Sequence, residues 1–134
     1  MLLSPWLDLR VTNASFAECQ DTDPLFSAAA AREAAAAYAP GHDVTSAALS
    51  PGLGDWTGRP PLFIEASSSE VLRDDSRAMA AEAMKSGVTV WYRETIGQLH
   101  DWHILGPQLP AVRASMNSLA DFFGMLRGDW RPPS

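Results

Sequence analysis

The sequence has a single cysteine, Cys19, among its 134 residues. One cysteine excludes an internal disulfide framework, and it also excludes a zinc site built from several cysteine thiolates. Long apolar runs are missing too, since no stretch approaches the ~20 residues that a membrane-spanning helix needs. We therefore predict neither a disulfide-rich domain nor a membrane protein.

Positive charge is scarce in this chain. Nine arginines and one lysine stand against 16 acidic residues, which gives a net charge of −6. The arginines are scattered, whereas a nucleic-acid-binding protein gathers basic residues on one surface. This balance predicts no nucleic-acid partner and no attraction to an anionic membrane. The N-terminus lacks the basic residues, apolar segment and cleavage site that together make a signal peptide. We therefore predict no signal peptide and a cytoplasmic protein.

The middle of the chain predicts a strand, a helix and a second strand in succession. Residues 61–64 are an apolar run of strand length, and residues 88–93 alternate with the period of two that a half-buried strand shows. Between them, residues 78–85 are rich in Ala and Met, which favours a helix. Three residues of the type that caps helix N-termini precede it: Asp74, Asp75 and Ser76.

An acid and a histidine follow these two strands. Glu70 comes after the first strand and His100 after the second. Strands joined by one crossover helix run parallel, so their carboxyl ends lie at the same edge of the sheet, where open α/β sheets place their sites. The order of elements predicts that Glu70 and His100 lie near each other at that edge.

The rest of the chain completes an α/β domain. A helix is predicted to begin at Asp23-Pro24 and end near Tyr38, and another to begin at Pro110 and end at Gly128. Three other segments are predicted as a strand end, an irregular connection and a surface loop: residues 2–6, 7–20 and 42–60. Strands separated by helices indicate a parallel sheet. We predict about three parallel strands with flanking helices in residues 1–128, followed by a disordered tail at 129–134.

Six short motifs follow one another along the chain. They are Leu3-Ser4-Pro5-Trp6-Leu7-Asp8-Leu9, Asp21-Thr22-Asp23-Pro24, Leu49-Ser50-Pro51, Gly58-Arg59-Pro60-Pro61-Leu62, Ser69-Glu70-Val71-Leu72-Arg73-Asp74-Asp75-Ser76 and Gly97-Gln98-Leu99-His100. In this order, they resemble the C-terminal half of the hormone-sensitive-lipase-like branch of α/β-hydrolases, the microbial carboxylesterases. The resemblance extends from about residue 2 to residue 127.

The resemblance implies two members of a catalytic triad. It places the catalytic acid at Glu70, where most members of the family have Asp, and the catalytic histidine at His100 in a turn where Gln98 replaces the usual Met. Such a pair activates a serine nucleophile for the hydrolysis of a small carboxylic ester, without a cofactor or a metal. The family's serine lies in a G-x-S-x-G turn, and its oxyanion loop contains His-Gly-Gly. Neither motif occurs in this sequence, and both are expected upstream of Met1.

Other residues compete for these roles. Asp74 and Asp75 are alternative acids, but a capping role at a helix N-terminus suffices to explain them. Glu65 lies within or at the end of the first strand and is a weaker candidate. The serines at 67–69 lack the flanking glycines of a nucleophile turn. His100 and His103 have zinc-like spacing without further ligands, so His103 is interpreted as a structural residue near Trp102, and His42 as a surface residue.

Two functions of different kinds follow. In the first, the chain is the C-terminal portion of a serine esterase and works only when an N-terminal portion supplies the nucleophile. In the second, it is a catalytically inactive remnant that acts as a self-associating interaction or scaffold protein. Acid and histidine in the expected turns favour the first. Either way, we expect the isolated chain to be inactive and to form a homo-oligomer or to bind a complementing chain.

Overall fold

The computed structural model describes residues 1–128. These residues form three strands and four α-helices: β1 (Leu2–Leu3), α1 (Ser15–Glu18), α2 (Ala28–Tyr38), β2 (Leu62–Ser67), α3 (Arg73–Lys85), β3 (Val90–Thr95) and α4 (Pro110–Arg127). Two short 3₁₀ turns cover Pro51–Leu53 and Trp102–Leu105. The fold is α/β, as predicted. The predicted tail at 129–134 lies outside the described residues.

The three strands form one parallel sheet in the order β1-β2-β3. Leu2 is paired with Ile64, and Ser67, the last residue of β2, is paired with Thr95, the last residue of β3. All six residues of β2 are buried, as expected for the central strand of a parallel sheet. Because β2 and β3 end at the same level, the loops that follow them begin side by side.

Helix α3 packs on β2 and β3 and buries its Ala- and Met-rich face. Met79 and Ala83 join a core cluster that also contains Ile64, Leu62, Ala80, Val88 and Leu7. A second cluster contains Val71 and Leu72, which precede α3, together with Val11, Phe16, Cys19 and Ala31. This second cluster anchors the segment that carries Glu70 to the chain between β1 and α2.

Contacts divide the chain into two compact units, Met1–His100 and a second unit that begins at Asp101. The first contains the sheet, α1, α2 and α3. The second contains α4 and the 3₁₀ turn before it, which pack together. A single partial domain over 1–128 stays a prediction. None of the helices in the described part of the chain is long and apolar enough to cross a membrane.

Several predicted boundaries differ from the structure. Helix α3 begins at Arg73 rather than at residue 78, and α2 begins at Ala28, where Ser27 Oγ accepts the N–H of Ala30 at 3.2 Å. A four-residue helix, α1, lies in the segment predicted to be irregular. Strand β1 is only two residues long, and Ser4 has a φ of 41°. The last helix ends as predicted, because Gly128 has a φ of 77° and its N–H donates to the carbonyls of Gly124 and Met125.

Candidate active site

Glu70 and His100 lie next to each other at the carboxyl edge of the sheet. The Nδ1 atom of His100 is 2.9 Å from Oε2 of Glu70. The Glu70 side chain is fully buried, and that of His100 is 12% exposed. A carboxylate only accepts hydrogen bonds, so Nδ1 carries the proton and donates it. The neutral ring then has its lone pair on Nε2, which is the tautomer that a general base needs.

The loop from Ser67 to Val71, which we call the acid loop, presents Glu70 to this histidine. It begins at the last residue of β2 and ends two residues before α3. The other carboxylate oxygen of Glu70, Oε1, accepts the backbone N–H of Ser67 at 2.9 Å. Both oxygens of Glu70 therefore have a donor, and this fixes the direction of the carboxylate.

The turn that carries His100 is bonded directly to the acid loop. Ser67 Oγ donates to the carbonyl of Gln98 at 2.6 Å, and the N–H of Gly97 donates to Ser68 Oγ at 3.2 Å. Gly97 has a φ of 68°, a conformation that glycine adopts without steric cost. These bonds hold the two loops in a fixed relation, which is a requirement for an oriented acid–histidine pair.

The competing acids are engaged elsewhere. Asp75 accepts the backbone N–H groups of Leu7 and Asp8, and Asp74 accepts that of Ser15 at 3.0 Å. The prediction that Asp74 and Asp75 cap their own helix is wrong, because α3 begins without a side-chain cap and these two carboxylates accept hydrogen bonds from other segments. Glu65, fully buried on β2, accepts from Thr95 Oγ1 at 3.0 Å and lies 3.6 Å from the guanidinium of Arg93.

A charged cluster lies next to the acid loop. Arg73 Nε donates to Asp74 at 3.0 Å, and the same guanidinium forms an ion pair with Glu18. Burial pushes the pKa of Asp74 upward, but hydrogen bonds and charge from Arg73 outweigh it and hold this pKa below its usual value. Burial raises the pKa of the Cys19 thiol, despite the opposing charge of Arg73, which favours the unreactive thiol form.

The other two histidines have local partners of their own. His103 belongs to the second unit, where its ring stacks on that of Trp102 with centroids 3.9 Å apart. This contact agrees with the interpretation of His103 as a residue near Trp102. His42 is exposed, and its Nδ1 lies 3.0 Å from the carbonyl of Pro40. Within residues 1–128, no three His, Cys, Asp or Glu side chains are grouped so as to hold a metal ion.

Comparison with known protein families gives a match to the part of the chain that contains Glu70 and His100. A family model described as the α/β-hydrolase fold matches residues 1–104. The chain belongs to this family. The predicted resemblance and the predicted fold class are both confirmed.

Individual α/β-hydrolases agree with the match. An acetyl-hydrolase from Streptomyces hygroscopicus is 36% identical over 127 residues, which are 95% of this chain and 42% of that protein. The esterase EstE5, in crystals soaked with p-nitrophenyl butyrate, is 32% identical with a TM-score of 0.84, over 90% of this chain and 40% of its own. An esterase of the bacterial hormone-sensitive lipase family is 30% identical with a TM-score of 0.86, over the same shares. The chain thus spans about two-fifths of the α/β-hydrolases it matches.

Sequence reasoning missed the polar residues that brace the loops of Glu70 and His100. Ser67 was considered only as a nucleophile, but it joins the two loops. Asp23 was interpreted as the N-cap of the helix that follows it, but its carboxylate also accepts the N–H of Val71 in the acid loop at 2.9 Å. The motif Asp21-Thr22-Asp23-Pro24 was the available signal, since it carried part of the resemblance. The catalytic roles of Glu70 and His100 themselves stay predictions.

Proposed function

We propose that this chain supplies the acid and the general base of a serine-dependent carboxylic ester hydrolase. The observation that carries the proposal is the 2.9 Å hydrogen bond between Glu70 and His100 at the carboxyl ends of β2 and β3. It is supported by relatives named acetyl-hydrolase and esterase, one of them soaked with a butyrate ester. The substrate in this proposal is a small ester with a short acyl chain, and no cofactor takes part.

The nucleophilic serine and the oxyanion donors come, in this proposal, from polypeptide outside these 134 residues. The sequence contains no G-x-S-x-G and no His-Gly-Gly run. The relatives have more than half of their length beyond the part that this chain matches. The missing groups could therefore be joined to this chain or be brought by a complementing chain.

Each chemical step uses the Glu70–His100 pair in the same way. In the first half, Nε2 of His100 takes the proton of the serine hydroxyl while the serine oxygen bonds to the ester carbonyl carbon. Nε2 then gives this proton to the alcohol oxygen as the bond between that oxygen and the carbonyl carbon breaks. In the second half, Nε2 takes a proton from water, the water oxygen bonds to the acyl carbon, and the serine regains the proton as the carboxylic acid leaves. Glu70 remains ionised and stabilises the imidazolium that forms in each half.

The proposal is tested by supplying the missing groups. The DNA that precedes the codon of Met1 should encode a G-x-S-x-G turn and a His-Gly-Gly run, in frame or as a neighbouring gene. The product that includes this segment should hydrolyse p-nitrophenyl acetate and butyrate with saturation kinetics. His100→Ala should reduce kcat by a factor on the order of 10²–10⁴, since the nucleophile loses its base. His42→Ala, at an exposed histidine, is the matched control and should leave kcat unchanged.

The isolated chain should not turn over these esters above the level of its His100→Ala variant. Saturable hydrolysis by the isolated chain that depends on His100 would mean that a nucleophile within these residues had been overlooked. An inactive product of the extended gene, folded and with its serine present, would contradict the proposal and favour the scaffold function instead. Cell fractionation of the native producer tests the predicted cytoplasmic location.

A further inference from the structure

Asp23 links the surroundings of Glu70 to those of His100 with one carboxylate. Its Oδ2 accepts the backbone N–H of Val71, the residue directly after Glu70, at 2.9 Å. Its Oδ1 accepts the backbone N–H groups of Leu25 and Phe26 at 2.9 and 3.1 Å. The two oxygens of Asp23 therefore serve two different parts of the site.

The aromatic ring of Phe26 meets the imidazole of His100. The two ring centroids are 4.7 Å apart, and the ring planes are inclined by 68°, which is an edge-on contact. Edge-on pairs of aromatic rings attract each other more strongly than the apolar area that they bury would predict. The position of the Phe26 backbone, which Asp23 sets, thus influences the orientation of the histidine ring.

The neighbours of Asp23 strengthen the same link. Thr22 Oγ1 donates to the carbonyl of Ser69 in the acid loop at 2.9 Å. Asp23 itself is only 7% exposed, and Val71 is fully buried. Water therefore has little access to the N–H of Val71, and loss of its acceptor would leave a buried donor unsatisfied, which is unfavourable.

We propose that Asp23 is a positioning residue, which holds the acid loop and Phe26 so that Glu70 and His100 meet in hydrogen-bonding geometry. It acts through these residues and does not itself touch a substrate. Both oxygens of its carboxylate are needed as acceptors. An amide at this position has one acceptor oxygen and one NH₂ group, so it would direct a donor at either Val71 or the Leu25–Phe26 pair. The inference rests on the proposed roles of Glu70 and His100.

The test follows the His100 Nδ1 proton by NMR in the chain of 134 residues, and it does not need catalytic activity. A ring N–H that donates to a buried carboxylate resonates at low field and exchanges slowly with water. The spectrum should contain this signal, and His100→Ala, which removes it, assigns it. In Asp23→Asn we expect the signal to move upfield or to vanish through exchange. Asp43→Asn is the matched control: Asp43 is an exposed aspartate that accepts the N–H of Thr45 at 2.9 Å, and its change should leave the signal in place.

Two further variants make the outcome decisive. Asp23→Ser keeps one acceptor for the N–H groups of Leu25 and Phe26 but loses the hydrogen bond to Val71. Even if Asp23→Asn fails to fold, Asp23→Ser should fold, and it should still weaken the signal. Glu70→Gln tests the pair itself. If Glu70→Gln removes the signal and folded Asp23 variants retain it unshifted, the role of Asp23 is wrong and the proposed function stands. If Glu70→Gln leaves the signal unchanged, both proposals are wrong.

Discussion

The carboxylate of Asp75 accepts the backbone N–H of Leu7 at 2.7 Å and thereby joins the first turn of α3 to the chain that leaves β1. The same oxygen accepts the N–H of Asp8 at 2.9 Å, and the other oxygen accepts the side-chain amide of Asn13. Asp75 is only 2% exposed. One buried side chain thus supplies the acceptors for a segment that has left the sheet and has no strand partner.

Replacing Asp75 with alanine should destabilise the protein. The N–H groups of Leu7 and Asp8 would lose their acceptor in a buried position, and each unsatisfied donor costs about 1–3 kcal/mol. We expect the free energy of unfolding at pH 5 to fall by about 2–4 kcal/mol in urea titrations. Asp55→Ala, at an exposed aspartate, is the control and should change it by less than about 0.5 kcal/mol. Equal effects of the two changes would contradict the bracing role of Asp75.

Asp75 should also make stability depend on pH. Burial raises the pKa of Asp75 to about 6, against hydrogen bonds from Leu7, Asn13 and Asp8 that lower it. The folded state then binds a proton more readily than the unfolded state, whose pKa is near 3.8. The protonated Asp75 therefore makes its full contribution to the free energy of unfolding below about pH 4, and this contribution is lost as the pH rises through 6.

The comparison with Asp75→Asn isolates this dependence, because an amide does not titrate. Between pH 4.5 and 7, the unfolding free energy of the wild type minus that of Asp75→Asn should fall by an amount on the order of 2 kcal/mol. Urea unfolding at several pH values measures it. A difference that stays constant or rises over this range would show that hydrogen bonds to the ionised form outweigh burial.

Glu70→Gln in the serine-containing protein should lower kcat for short nitrophenyl esters by a factor on the order of 10²–10⁴. The amide keeps the shape of the side chain but no longer stabilises the imidazolium. Glu65→Gln is the matched control, because Glu65 is also a fully buried acid of this sheet and accepts a hydrogen bond from Thr95. A larger loss of kcat in folded Glu65→Gln than in Glu70→Gln would reassign the acid.

The strands, α3 and the edge-of-sheet position of Glu70 and His100 could be predicted from the sequence because they depend on local patterns. An apolar run marks β2, a period-two alternation marks β3, and a crossover helix makes the two strands parallel. The positions of Glu70 and His100 in their loops were assigned through the resemblance. The periodic patterns and the motifs of the resemblance each depend on residues that are close neighbours in the sequence.

The partners of the buried aspartates could not be predicted in the same way. Asp23, Asp74 and Asp75 all have the local signature of a helix start, and sequence alone assigns them to the nearest helix. Asp74 and Asp75 instead accept N–H groups from segments dozens of residues away, such as Leu7 for Asp75. Asp23 accepts the N–H groups of its neighbours Leu25 and Phe26 with one oxygen, but its other oxygen accepts that of the distant Val71. These pairings depend on which segments the folded sheet brings together. The start of α3 was misplaced for the same reason.

Ser67→Ala should loosen the turn that carries His100. The hydroxyl of Ser67 is buried and donates to the carbonyl of Gln98 at 2.6 Å. Its removal leaves that carbonyl without its donor, so we expect amide hydrogen exchange in residues 97–100 to become roughly 10-fold faster, as for a loss of about 1.4 kcal/mol. Ser68→Ala is the neighbouring control. Its bond to Gly97 is longer, at 3.2 Å, and exposed to water, so its effect should be smaller.

The last prediction concerns association of the isolated chain. Within the described residues β1 pairs only with β2, so its other edge presents unpaired backbone groups on which another chain could add a strand. Large apolar side chains are exposed in the same unit, among them Ile96 at 84% and Tyr38 at 75%. Pro5 removes one backbone donor just after β1 and blunts this edge at a single position. We expect a homodimer, a complex with an N-terminal portion, or aggregation, which size-exclusion chromatography with light scattering distinguishes. A sharp monomer peak at 14.5 kDa and micromolar concentration, with cooperative thermal unfolding, would contradict this expectation.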